Sequence, residues 1–405
     1  MKTSFAKQAI VLGLLAAMAP FAIDMYLPAL PAIGQSLHAE PGRVQQSLMA
    51  FFLSVGVCQL IYGPLSDMFG RKRPLYVGLS LFALTSVLCA YASNIESLIA
   101  WRFVQGVGAC AAIVIPRAVV RDLYTGPEAA RLMSLLMLVF SVSPLLAPLA
   151  GSLAIALSSW RAVFFAITGL ALFGLLLTAT QLTETRPASQ RVESTLASAW
   201  AAYRSLLQNR RFLALSFIGG FGMSAFFVYL ANSSFVLIQH YGLSPTRYSL
   251  YFATNAAAFI GSAQLTGHLT RRFGLSPVVR VAATGHAAAL VLLALGWALG
   301  FDSLALLATL LFVSFGFLGL VIPSTTVLAL DDHGPIAGTA AALMGTVQML
   351  TGTGVVALLS HWVDGTPLPM VVGTTISALI TVSLTWWTLA QRDRAPLLAP
   401  ERGTA

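Results

Sequence analysis

Long apolar runs separated by short polar breaks recur along the whole of this sequence. Each run is about 20 residues, the length an α-helix needs to cross a hydrocarbon core of ~30 Å. They predict twelve transmembrane helices at residues 9–30, 44–64, 75–93, 97–118, 131–157, 161–181, 212–236, 247–268, 276–299, 303–329, 337–361 and 368–390. The second and eighth runs are the least apolar, and an even count of twelve makes termini and loops agree on one topology. The longest polar interruption, Thr183 to Arg211, divides the chain into a six-helix bundle at 1–182, a central loop at 183–211, a second six-helix bundle at 212–391 and a tail at 392–405. A weakly amphipathic stretch lies inside that loop, around Trp200 to Leu207.

The two halves echo each other. Gly63-Pro64-Leu65-Ser66-Asp67-Met68-Phe69-Gly70 follows the second span, and Gly267-His268-Leu269-Thr270-Arg271-Arg272-Phe273-Gly274 follows the eighth. Gly, Leu, Phe and Gly match at one constant offset. A duplicated half of this kind is the mark of secondary transporters built from repeats.

Composition fixes the class. The chain of 405 residues is 57% hydrophobic and 9% charged, unlike a soluble domain. Of its 23 Lys and Arg residues, about 19 fall at or near one set of helix ends, which the positive-inside rule places in the cytoplasm together with both termini. Arg43, Arg161 and Arg247 fall on the other side, and Arg102 is left within the membrane. The net charge of +9 therefore reads as orientation and contact with anionic lipid, and nucleic acid is not an expected partner. The first span, with Lys2 and Lys7 before it and Ala17-Met18-Ala19 within it, is expected to be retained, because Pro20 follows and the apolar run continues. Cys58, Cys89 and Cys110 lie in apolar spans and read as small buried hydrophobes, with no disulfide, metal or cofactor framework.

One acid stands out. Asp24 lies well inside the first span, where a charge costs roughly 2.5–3.5 kcal/mol on insertion scales, so it marks a functional site. Its setting, Ala22-Ile23-Asp24-Met25-Tyr26-Leu27-Pro28, predicts a helix that flexes beside a titratable group. At 1.5 Å per residue Asp24 is about 9 Å below the outer surface and Arg102, in span four, roughly 7–8 Å below it. Both are expected to face a central cavity. Two roles fit each of them. Asp24 carries the coupling proton or contacts substrate, or the pair is a structural ion pair; Arg102 contacts substrate or supports Asp24. Tyr26, Asn232, Asn255 and Gln348 are further cavity candidates, with interhelical hydrogen bonding as the alternative. Pro144, Pro148 and Gly151 are expected to kink span five and allow tight packing. Phe226, Phe227 and Tyr229 are expected to pack, and His268, His286 and His361 to take no part in proton transfer.

Several of these segments resemble the major facilitator superfamily. Gly63-Pro64-Leu65-Ser66-Asp67-Met68-Phe69-Gly70-Arg71-Lys72 fits its signature loop, G-x-L-x-D-x-x-G-R-[RK], at every fixed position. Arg102-Phe103-Val104-Gln105-Gly106-Val107-Gly108 resembles its fourth-helix motif. Ala147-Pro148-Leu149-Ala150-Gly151 resembles the fifth-helix antiporter motif, with Ala147 and Ala150 where the fuller pattern has glycine. Asp24-Met25-Tyr26-Leu27-Pro28 and Arg121-Asp122-Leu123-Tyr124 are similar to the bicyclomycin-resistance (Bcr/CflA) group of drug:proton antiporters.

The resemblance implies an all-α fold of two pseudo-symmetric six-helix bundles in the bacterial inner membrane, working by alternating access. It implies a conformational latch. Gly63 and Gly70 would let helices two and three approach closely, Asp67 would cap the eleventh helix near Gly338, and Arg71 would pair with Asp122. These contacts would form in the outward-facing state. The second copy carries Arg271 in place of the acid, which weakens its latch. The expected function is proton-coupled export of small neutral or monocationic drugs, amphenicol- or bicyclomycin-like, by a monomer whose partners are substrate, protons and lipid. A proton-linked carrier of a metabolite such as a nucleoside or amino acid is the alternative. No Ser/His/Asp arrangement, H-E-x-x-H spacing or nucleotide-binding loop is found, so an enzyme is not expected.

Overall fold

The computed structural model describes residues 5–124, 126–187, 196–363 and 365–394. The first apolar run forms α1 (Phe5–Asp24), a single 3₁₀ turn at Leu27–Ala29 and α2 (Leu30–Ser36). The rest of the first half comprises α3 (Pro41–Phe69), α4 (Lys72–Ala90), α5 (Ile95–Leu123), α6 (Gly126–Leu157) and α7 (Trp160–Thr180). The amphipathic stretch of the central loop is α8 (Leu196–Gln208). The second half holds α9 (Arg210–Ser234), prolonged by a π-helical segment at Phe235–His240, then α10 (Pro245–Phe273), α11 (Leu275–Ala298), α12 (Leu304–Leu330), α13 (Ala337–Leu359) and α14 (Leu368–Arg394). Local signals set several starts. The Asn94 Oδ1 accepts from Ser97 N at 2.8 Å and the Asn209 Oδ1 from Phe212 N at 3.0 Å, capping α5 and α9. Ser244 caps α10 with Pro245 as its first residue.

Among the described residues, eleven helical segments are long and apolar enough to span a membrane. The expected eighth span, α10, is long enough but too polar to join them, because Thr254, Asn255, Ser262, Gln264 and His268 interrupt it. Large apolar side chains such as Val77 and Val281, each 68% exposed, ring the outside of the molecule as lipid-facing surface does.

The packing is duplicated. In the first half α3 packs on α5, α5 on α4, α4 on α7 and α1 on α6. In the second half the same scheme recurs as α10 on α12, α12 on α11, α11 on α14 and α9 on α13. Two pairs join the halves, α3 with α13 and α6 with α10, and these too exchange under the same correspondence. Phe52 of α3 stacks on Phe227 of α9 at 4.6 Å, so that aromatic packs between halves.

The repeated motif is not laid out as a loop. Helix α3 runs through Gly63 and Pro64 and ends only at Gly70, whose φ is 84°; α10 runs through Gly267 and ends at Gly274, with φ 83°. Both chain reversals use the left-handed region that glycine alone enters freely. The expectation for Gly63 is corrected accordingly. It lies inside the helix, and a Cβ placed there meets nothing within 4 Å, so no close approach depends on it.

We call the end of the molecule carrying Gly70, Arg71, Gly274 and Gly338 the basic end. At the opposite end, Ser152 Oγ of α6 lies 2.7 Å from Ser249 Oγ of α10 and donates to Pro245 O at 2.9 Å. Gln45 Nε2 of α3 donates to Asn232 Oδ1 of α9 at 3.0 Å, again between halves.

Candidate functional site

The first span breaks at its acid. Pro28 has no N–H, so the carbonyl of Asp24 receives no bond from the position four residues on. The chain tightens instead: Tyr26 N donates to Ile23 O at 3.2 Å and Ala29 N to Tyr26 O at 3.0 Å. Asp24 thus becomes the last residue of α1, at the negative end of the helix dipole, where an anion is disfavoured. Its side chain is 5% exposed, and among the described residues no cation lies within ion-pair distance. Ser143 Oγ of α6 makes a long hydrogen bond to it, donating to Asp24 Oδ2 at 3.5 Å.

The break also sets how α6 packs. The carbonyl of Met25 projects from it toward Gly151, where an added Cβ would sit 2.2 Å from that oxygen. Only a residue without a side chain fits. Pro144, Pro148 and Gly151 all lie within the continuous helix α6, on the stretch running from Ser143 to the Met25 contact. We expect Gly151→Ala to destabilise the protein by about 1–3 kcal/mol through overpacking against backbone. Thermal unfolding in detergent reads this directly; an unchanged midpoint would show that α6 does not bear on the break.

Arg102 is not paired with Asp24. It is fully buried inside the first half, its guanidinium 4.4 Å from the ring centroids of both Tyr26 and Phe51. Its Nη1 donates to Gln105 Oε1 at 2.6 Å, and Gln105 Nε2 donates to Ser86 Oγ at 2.7 Å. Among the described residues, Nε and Nη2 have no hydrogen-bond partner. Its ring neighbours come from the Tyr26 turn and α3, with Phe164 of α7 at 6.0 Å, all within the first half. A planar cation between two rings is a geometry lysine does not reproduce. Arg102→Lys is expected to cost about 1–2 kcal/mol in thermal stability, and an equal midpoint for the two proteins would contradict the stacking role.

The cavity candidates are placed as follows. Tyr26 is fully buried, with its hydroxyl 2.6 Å from Ser47 Oγ. Asn232 accepts from Gln45 and donates to Val228 O at 2.9 Å. Asn255 Nδ2 donates to Tyr229 Oη at 3.0 Å. The half-buried Gln348 sets its amide against Gly219, whose added Cβ would lie 2.6 Å from Nε2. The π-helical segment of α9 begins just beyond Asn232. His286 is buried and held through Nδ1 by Ser314 Oγ at 2.8 Å.

At the basic end the signature residues converge. Arg71, 3% exposed, grips Asp122 with two bonds, Nε to Oδ2 at 2.7 Å and Nη2 to Oδ1 at 3.0 Å. Its Nη1 lies 2.9 Å from Asp67 Oδ1 and donates to Ser66 Oγ at 2.6 Å. Burial by itself would lower the Arg71 guanidinium, but Asp122 and Asp67 outweigh it and hold it above its ordinary value. Asp67 does not cap α13. It is taken by Arg71 and by Arg186 Nη1 at 2.6 Å, while α13 starts from Ile336 with no side-chain cap. Arg121 reaches α13 instead: a Cβ on Gly338 would lie 2.4 Å from its Nη1.

The sequence reading missed the strap that completes this cluster. Glu184 accepts from the backbone N of Arg71 at 2.8 Å and of Lys72 at 3.1 Å, placing a carboxylate on the N-terminus of α4. Thr185 Oγ1 donates to Asp122 Oδ2 at 2.8 Å. The signal was available as the polar triplet Glu184-Thr185-Arg186 immediately after an apolar span, opposite a motif of complementary charge.

The family model of the Major Facilitator Superfamily matches residues 12–356. The chain belongs to this superfamily. A Bacillus subtilis MFS-type transporter, YdgK, is 36% identical over 365 residues, covering 89% of this chain and 90% of that protein. Multidrug resistance protein D of Escherichia coli is 32% identical across 87% of each chain. A bicyclomycin resistance protein homolog of Haemophilus influenzae is 28% identical over 95% of this chain and 96% of its own. The solved D-xylose–proton symporter has the same fold, with a TM-score of 0.75 at 17% identity over 95% and 97% of the two chains. Membership in the superfamily and in its drug-efflux group bears out the expected fold class, and makes the protein a multi-pass membrane transporter rather than an enzyme.

Proposed function

We propose that this major facilitator protein exports small neutral or monocationic drugs in exchange for protons, by alternating access between two six-helix halves. The observation that carries the reading is the Asp24 carboxylate, buried at the break of α1 with no cation in ion-pair distance among the described residues. The similarity to drug-resistance proteins at full length supports the substrate class. The basic end faces the cytoplasm of a bacterium, because most Lys and Arg residues lie there.

In the cycle we propose, Asp24 is ionised while drug is held. Protonation from outside removes the charge, and the drug leaves. The protonated carrier returns and gives its proton to the cytoplasm. Motion of α1 at its break is read by Ser143 and Gly151, and so reaches α6, whose Ser152 touches α10. The cluster of Asp67, Arg71 and Asp122 biases the equilibrium between states as a latch. A single proton moving down 100 mV in exchange for a neutral drug supplies about 2.3 kcal/mol, which concentrates that drug roughly fifty-fold. The protein is expected to work as a monomer in the inner membrane.

The test is uptake into inverted proteoliposomes under an imposed potential, with amphenicols, bicyclomycin and nucleosides compared. Concentrative uptake of the drugs alone supports the proposal. Uptake restricted to nucleosides would replace it with a metabolite carrier.

A further inference from the structure

The helix of the central loop makes one contact that the transport reading leaves unused. Helix α8 buries Tyr203 and Leu206, at 7% and 1% exposure, and turns Trp200 outward at 68%. Tyr203 Oη donates to the main-chain oxygen of Leu60 in α3 at 3.2 Å. That acceptor is special. Leu60 stands four residues before Pro64, and proline offers no N–H, so the helical ladder leaves the Leu60 carbonyl without its usual donor. Pro64 occupies a variable position of the signature motif, so the vacancy is a property of this chain's motif residue.

The anchor of α8 is in the other half. The helix packs on α9 and α13. Just past its end, at the start of α9, Asn209 Nδ2 lies 3.4 Å from His333 Nε2, and Arg211 Nη1 lies 2.8 Å from Asp332 Oδ2. An arm seated on the second half therefore reaches across the basic end to a carbonyl of the first. Burial pushes the Tyr203 phenol above its usual value, so it stays a donor at neutral pH.

We infer that Tyr203 is a positioning residue of the transport cycle: its phenol bolts α8 onto the carbonyl that Pro64 frees in α3, holding the basic end closed, and lets go when that end opens. This rests on the alternating-access reading. The bolt is separate from the Arg71 cluster, shares none of its side chains, and closes the same end through a neutral hydrogen bond.

The experiment is hydrogen–deuterium exchange on the full-length protein in detergent, comparing native, Tyr203→Phe, Pro64→Ala and the double variant. Tyr203→Phe keeps the ring and its packing and removes only the hydroxyl. It is expected to speed exchange across α8 about fivefold, the weight of one net hydrogen bond, with α1 unchanged. In the Pro64→Ala background, where α3 supplies its own donor to Leu60, the same substitution should change α8 exchange by less than about twofold. Unchanged α8 exchange in Tyr203→Phe, or an equal effect in both backgrounds, would overturn the inference. Substrate flux measured on the same preparations separates the two claims. Absent flux in the native protein with the exchange pattern intact sinks the transport reading and leaves the bolt standing.

Discussion

Replacing Asp24 by Asn is expected to lower the accumulation ratio of a neutral drug from roughly fifty-fold to about one at 100 mV, while drug binds more weakly and drug–drug exchange persists at raised drug concentration. Asparagine has nearly the shape of the protonated acid and still accepts from Ser143, so the break of α1 and its packing on α6 are kept. What it cannot do is bind and release a proton. Uphill transport fails for want of coupling, and exchange, which moves no net proton, continues. The measurement is paired uptake and counterflow with one labelled drug. Loss of both would show that Asp24 binds substrate directly. Retention of both would move the coupling site elsewhere.

Arg71→Ala is expected to cost about 3 kcal/mol of stability, near the low end for breaking a buried ion pair because Asp67 and Asp122 are partly exposed. The guanidinium meets three side chains at once, Asp67, Ser66 and Asp122, and no smaller residue spans them. After its loss Asp67 retains Arg186 and Asp122 retains Thr185, which limits the damage. Arg71→Lys keeps the charge and loses the two-pronged grip on Asp122, so an intermediate loss is expected. Chemical unfolding in detergent decides this. A loss under about 0.5 kcal/mol would place the cluster among ordinary surface ion pairs.

Much of this molecule is legible in its sequence because lipid makes the rules simple. Runs of apolar length specify the spans, and the match between Gly63–Gly70 and Gly267–Gly274 specifies the duplication that the packing then repeats. Asp24, Arg71 and Asp122 are legible for the same reason: a charge in or beside a membrane needs an account. The partners of those residues are harder to read. Arg102 and Asp24 share a depth along their helices, yet the first is stacked between Tyr26 and Phe51 and the second meets Ser143 of α6, because rotation about a helix axis is set by packing. Gly63 looks like a turn residue but stays helical, since nothing before Gly70 forces the chain to reverse. Asp67 is claimed by Arg186, a residue 119 positions away that span counting treats as loop. The contact of Tyr203 with a main-chain oxygen has no side-chain signature on the acceptor side except the proline four residues later.

The central claim is that one buried carboxylate exchanges a proton for a drug. The most direct measurement is proton release on drug binding, followed with a pH dye in weakly buffered detergent solution. The native protein is predicted to release protons in proportion to the drug bound, and Asp24→Asn to release none even at the higher drug concentrations needed to fill it. Equal release from the two proteins, or drug binding by the native protein with no release at any pH tested, would contradict the account.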